Sequence, residues 1–132
     1  QLGYKQWGYI NKNGAVVIES KFLEAQPFSE GKAVIAMPVD NENLDQKKFG
    51  YINKQGKILI EPIYEKAFSF HENRAKIQQD GKYGFINERG QLIAEPIYDK
   101  AWSYRGGLAM VKLGKKYGYI NRNGVFALEP IS

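Results

Sequence analysis

Short runs of alternating side chains, separated by glycine-containing turns, recur along the chain. In Tyr117-Gly118-Tyr119-Ile120 the two tyrosines fall on one face of a strand and Gly118 and Ile120 on the other, since successive strand residues point to opposite sides. Asn121-Arg122-Asn123-Gly124 then suits a type I turn whose last residue takes positive φ, the glycine-bulge hairpin. Val125 to Leu128 returns as a second strand. It is apolar at consecutive positions, as are Val16-Val17-Ile18 and Ile58-Leu59-Ile60, which predicts cover on both faces. A third strand, Arg74-Ala75-Lys76-Ile77 or Leu108-Ala109-Met110-Val111, precedes each hairpin. The turns Asp80-Gly81 and Gly114-Lys115 lead from it into the aromatic strand. No stretch sustains a period of 3.6, so no helix is predicted.

The unit repeats. Gly8, Gly50, Gly84 and Gly118 stand 42, 34 and 34 residues apart, and Gly14, Gly56, Gly90 and Gly124 keep the same spacing. So do Glu19, Glu61, Glu95 and Glu129. Residues 47–80 and 81–114 share 13 identities over 34 positions. The repeats are placed at 1–46, 47–80, 81–114 and, in part, 115–132. The first is longer by eight residues, and its insertion at 36–45 reads as an enlarged loop. Aromatic connectors such as Glu95 to Tyr104 join the units and hold Ala25, Ala67 or Ala101 at one fixed place. Pro62 and Pro96 are expected to end the strands before them. The predicted fold is a single all-β repeat domain of tandem three-stranded antiparallel meanders. They form an open twisted array, with a propeller-like ring as the alternative.

Composition narrows the chemistry. Cysteine is absent and His71 is the only histidine, which removes disulfides, thiol catalysis and sites needing two imidazoles. The longest apolar run, Ala33 to Met37, is too short for a membrane-spanning helix. The net charge of +5 permits attraction to anionic surfaces without demanding nucleic acid. The chain opens on Gln1 rather than Met and so reads as a mature product or an excised segment; its compartment stays open.

No cofactor or metal site is predicted. Ser69, His71 and Glu72 crowd within four residues, too close along the chain for a triad, and the other repeats lack the set. The repeated glutamates are expected to accept hydrogen bonds from the connector backbone, and Gly8, Gly50, Gly84 and Gly118 to leave room for an aromatic ring. The pairs Phe49/Tyr51, Tyr83/Phe85 and Tyr117/Tyr119 are expected as core rows, with Trp7/Tyr9 as the first. Lys48, Lys82 and Lys116 form a candidate basic ridge, against a reading in which they serve solubility and protect strand edges.

The run Trp7-Gly8-Tyr9-Ile10-Asn11, then Asn13-Gly14, Glu-Pro-x-Tyr-[Asp/Glu]-x-Ala and Phe-Ser-Glu-Gly-x-Ala, resembles the WG (KWG) repeats of bacterial proteins. Phe49, Tyr83 and Tyr117 replace the tryptophan in later copies. The resemblance implies a β-rich array used for interaction and carries no catalytic residues. The expected function is a non-catalytic protein-interaction or scaffolding module, with a glycan- or cell-wall-binding module as the alternative. The expected partner is another protein or peptide, or in the alternative an anionic glycan. Positions that vary between repeats mark the candidate patch: Phe68, Trp102, His71 and Arg105. The competing reading has Phe68 and Trp102 filling gaps between stacked units.

Overall fold

The computed structural model describes residues 7–10, 16–22, 24–40 and 43–131. The first turn, at Asn13-Gly14, lies outside them. Every regular element among the described residues is a strand. A hairpin of β1 (Trp7–Ile10) and β2 (Val16–Phe22) comes first. A four-stranded sheet follows: β3 (Glu24–Ala25), β4 (Ala33–Asp40), β5 (Asn43–Ile52) and β6 (Ile58–Tyr64). The next holds β7 (Lys66–Ala67), β8 (Arg74–Gln79), β9 (Lys82–Asn87) and β10 (Leu92–Tyr98). The last holds β11 (Lys100–Ala101), β12 (Ala109–Leu113), β13 (Lys116–Ile120) and β14 (Phe126–Ile131). Each is an antiparallel meander in chain order, and none closes on itself. The chain forms two compact units, residues 1–64 and 65–132, so the second holds two complete sheets.

The expected meander gains a fourth strand. Lys66 and Ala67 pair with Gln78 and Ile77, and Lys100 and Ala101 with Lys112 and Val111, so the connector itself joins the sheet. The connector then turns back tightly. Glu72 and Asn73 both take positive φ (54° and 63°), as do Gly106 and Gly107 (62° and 85°), the backbone of a type I′ turn. Asp80 and Gly81 make the same turn between β8 and β9.

The prolines do not end their strands. Pro62 and Pro96 lie inside β6 and β10, within bulges where a missing N–H costs no ladder bond. Tyr83 pairs with Tyr98 and Phe85 with Ala94, so Glu95, Pro96 and Ile97 all stand against the single residue Gly84. This overturns the expected role of that glycine. A Cβ on Gly84 would lie 2.5 Å from the Ala94 carbonyl oxygen and 2.8 Å from the Pro96 nitrogen, so bulged backbone, not an aromatic ring, fills the space. Gly50 meets the same obstruction from Ile60 and Pro62.

Two further expectations are corrected. Residues 36–40 and 43–45 of the insertion are strand rather than loop: β4 and β5 run on as a two-stranded ribbon, pairing Ala36 with Phe49, Pro38 with Lys47 and Asp40 with Asn43, while residues 41 and 42 lie outside the described residues. β3 reaches only to Ala36, so beyond it β4 is an edge, where proline is tolerated. The return strands are not covered on both faces either. β6 and β10 are sheet edges, and Leu59 and Leu92 stay exposed while Ile60 and Ala94 are buried.

In the first unit, Phe22, Ala33, Ile35 and Ile52 form one buried cluster. In the second, Phe85 and Ala94 pack with Ala101, Tyr104, Ala109, Val111 and Ile120, the aromatic face of one sheet meeting the small-residue face of the next. Gly84→Ala should destabilise the protein by roughly 2–4 kcal/mol, since its methyl collides with backbone that cannot move without opening the bulge. Urea denaturation checks this; a loss within experimental error of zero would contradict the close approach.

Candidate binding face

Register decides which side chains share a face. In the second sheet the Phe68 N–H donates to the Lys76 carbonyl at 3.1 Å, Lys76 pairs with Phe85, and Phe85 with Ala94. One row therefore reads Phe68, Lys76, Phe85, Ala94. The third sheet repeats it. The Trp102 N–H donates to the Met110 carbonyl at 3.0 Å, Met110 pairs with Tyr119, and Tyr119 with Leu128. Beside that row lie Lys100, Lys112 and Tyr117.

The two rows differ sharply in cover. Phe85 and Ala94 are 0% and 5% exposed, whereas Tyr119 and Leu128 are 37% and 50% exposed, and Trp102 is 39% exposed. In the first sheet the corresponding Tyr51 and Ile60 are buried. Phe85 lies under Tyr104, edge-on at 4.9 Å between ring centroids. The expectation of core rows therefore holds for Tyr51 and Phe85, while Phe49 and Tyr83 are half-buried. Tyr117 and Tyr119, in the last repeat, are exposed, and the side chains of Trp7 and Tyr9 lie outside those described.

Where the two sheets of the second unit meet, a cleft of about 320 Å³ opens between Lys76, Tyr83, Asp99, Lys100, Ala101 and Trp102. The Lys76 ammonium donates to the Ala101 carbonyl at 2.9 Å and sits 4.4 Å from the Phe68 ring centroid and 5.3 Å from that of Tyr83. Burial pulls it below the ordinary lysine pKa. Trp102 meets Tyr117 at 6.1 Å, the rings inclined by 38°.

Phe68 and Trp102 thus border the same Lys76 and Tyr83. His71 and Arg105 sit apart, at the strand ends flanking the type I′ turns, paired through the backbone with Arg74 and Leu108. Neither side chain has a hydrogen bond or ring contact to the cleft among the described residues. Of the lysine ridge, Lys82 is ion-paired with Asp99, Lys116 is exposed, and Lys48 lies in the first unit, half-buried.

The glutamates of the Glu-Pro pairs do not cap the connector: Glu61, Glu95 and Glu129 point to solvent. A different acid performs that work. Glu65 accepts from the Asp80 and Gly81 amides at 2.8 and 3.2 Å, and Asp99 accepts from the Gly114 amide at 2.7 Å, each fixing a hairpin turn in its own sheet. Lys82, then the Gly114 amide, hold the Asp99 carboxyl below its ordinary pKa. Glu72 ties the two sheets together. Its carboxylate accepts from the Gly106 and Gly107 amides at 2.6 and 2.8 Å and from Arg122 at 3.4 Å. Beside it, Arg74 donates to the Arg122 carbonyl at 2.8 Å and lies over the Tyr104 ring. The Tyr104 hydroxyl donates to the Asn121 carbonyl at 2.6 Å, and burial above all pushes its pKa up to about 12. Sequence comparison hid Glu72, because Gly106 occupies its place in the following repeat.

A family model described as the WG containing repeat matches residues 7–37, 49–83 and 83–117. The chain belongs to the WG-containing repeat family. No curated protein and no solved structure matches it. The last WG match runs from Tyr83 in β9 through the connector to Tyr117 in β13. The sequence repeat therefore spans a hairpin of one sheet and the strands of the next that cover it.

The Gly107 amide foremost, with the Gly106 amide and Arg122, holds the Glu72 carboxyl below its ordinary pKa, against the desolvation that raises it. A carboxyl lowered on folding stabilises fully above its unfolded pKa, about 4.3, and loses that contribution as pH falls through the folded value. Glu72→Gln should lower Tm at neutral pH and flatten the fall in Tm below about pH 4.5. A Tm–pH profile parallel to wild type would contradict the latch.

Proposed function

We propose that the protein is a non-catalytic interaction module that takes a polypeptide partner along the cleft where its second and third sheets meet. One observation carries this reading: the cleft of about 320 Å³ at that join is lined by the rings of Tyr83 and Trp102 together with Lys76, Lys100 and Asp99. Exposed aromatic and aliphatic side chains rimmed by charge are the usual composition of a protein contact surface.

The placement of the acids supports a non-catalytic role. Glu65 and Asp99 are committed to their own turns and Glu72 to the join between sheets, so they do not converge on one reacting centre. A glycan platform asks for flat, coplanar rings, and Trp102 and Tyr117 are inclined to each other by 38°.

A photo-crosslinking amino acid at position 100, in the cell of origin, tests the reading. It should capture a discrete polypeptide, which is lost with Trp102→Ala and not captured from position 61, on an edge strand of the other unit. Equal capture from both positions, or capture of carbohydrate alone, would contradict it.

A further inference from the structure

Lys76 stands at a place where the neighbouring repeats carry no charge. In their own sheets Val34, Lys76 and Met110 hold one register position, opposite Tyr51, Phe85 and Tyr119. Val34 is buried there, at 1% exposure. Withdrawing an ammonium from water costs free energy unless acceptors replace the lost water. Lys76 is compensated only in part. It spends one of its three N–H donors on the Ala101 carbonyl and lies over the Phe68 and Tyr83 rings. No carboxylate among the described residues pairs with it. Lys100 lines the same cleft and has no ion pair among the described residues either. The acid in the lining, Asp99, is already held by Lys82 and the Gly114 amide. The cleft is therefore left with two uncompensated cations beside the rings of Tyr83 and Trp102. Neither the Tyr83 hydroxyl nor the Trp102 indole N–H has a hydrogen-bond partner among the described residues.

Resting on the polypeptide-binding reading, we propose that Lys76 makes the cleft selective for an acidic segment of the partner. An Asp or Glu side chain of that segment seats its carboxylate on the Lys76 ammonium, beside Lys100, and a flanking apolar side chain lies on the Tyr83 and Trp102 rings. The carboxylate supplies the acceptor that Lys76 lacks. In a half-buried cleft such a charge-assisted bond is stronger than on an open surface, and a neutral segment would leave the ammonium desolvated and unpaired.

Selection from a displayed random-peptide library on the intact chain tests this, followed by affinity measurements on synthetic copies blocked at both ends. The expected binders combine Asp or Glu with an aromatic or aliphatic residue. Their affinity should fall at least about tenfold with Lys76→Met, and as much when the peptide's acid is exchanged for its amide. The two changes together should cost no more than either alone, because both remove the same bond. Lys54→Met, at an exposed turn of the first unit, makes the same change in net charge and should leave affinity nearly unchanged. Lys76→Met puts in the residue that the third sheet carries at that position, and thermal melts verify that both variants fold. Binders without acidic enrichment, additive losses, or equal losses in the two lysine variants overturn the proposal. So does binding that requires a free C-terminal carboxylate, self-association in sedimentation, or a polyanionic polysaccharide that binds where no peptide does. If Trp102→Ala abolishes peptide binding while Lys76→Met leaves it intact, the polypeptide-binding reading stands and the acidic preference falls. If no peptide is selected, both fall.

Discussion

The stacking of one sheet's aromatic row on the small-residue face of the next organises the second unit. Phe85 can be fully buried because Ala101 and Ala109 present so little bulk that Tyr104 reaches its ring. Two-residue alternation supplies both faces from the same strands. The aromatic positions of β9 and the alanine and valine positions of β11 and β12 differ only in which side of the pleat they occupy. Each sheet alone would leave an aromatic face in water, so its stability is shared with its neighbour, as in other repeat proteins. The Glu72 carboxylate and the Arg74 guanidinium add directional bonds across that join, and these set the turns of the two sheets at a fixed offset.

The outer face of the third sheet follows the same plan. Its side chains are of the kinds that are buried one repeat earlier, and its register is unchanged. What differs is chemistry: Met110 replaces Lys76, Lys112 replaces Gln78 and Trp102 replaces Phe68. These exchanges keep an apolar stripe and move positive charge to its border.

Much of the architecture could be read from residue order. Glycine spacing, alternation and turn chemistry identify the strands, the hairpins and the repeat, and Asn121 with Gly124 forms the bonded turn expected of it. The role of Gly84 could not be read that way, because a bulge puts three residues of the return strand against one glycine, and that count is a matter of pairing, not of sequence. The ribbon formed by residues 36–40 and 43–45 was obscured by Pro38 and the asparagines of the insertion, which signal a loop unless the strand is known to be an edge. For the site, Phe68 and Trp102 were visible as variable aromatics. Their partners Lys76, Tyr83, Lys100 and Lys112 depend on cross-strand register, which the residue order leaves open. His71 and Arg105 share the variability of the site but sit at the turns, so variation between repeats marks solvent exposure as well as binding.

Hydroxyl-radical footprinting of the intact chain tests the account most directly, because it reads side-chain cover at matched repeat positions. Trp102, Tyr117, Tyr119 and Leu128 should label rapidly, while Phe85 and Tyr104 are protected until global unfolding. Comparable protection of Tyr119 and Phe85, or rapid labelling of Phe85 in the native state, would contradict the stacked arrangement and the open face it leaves.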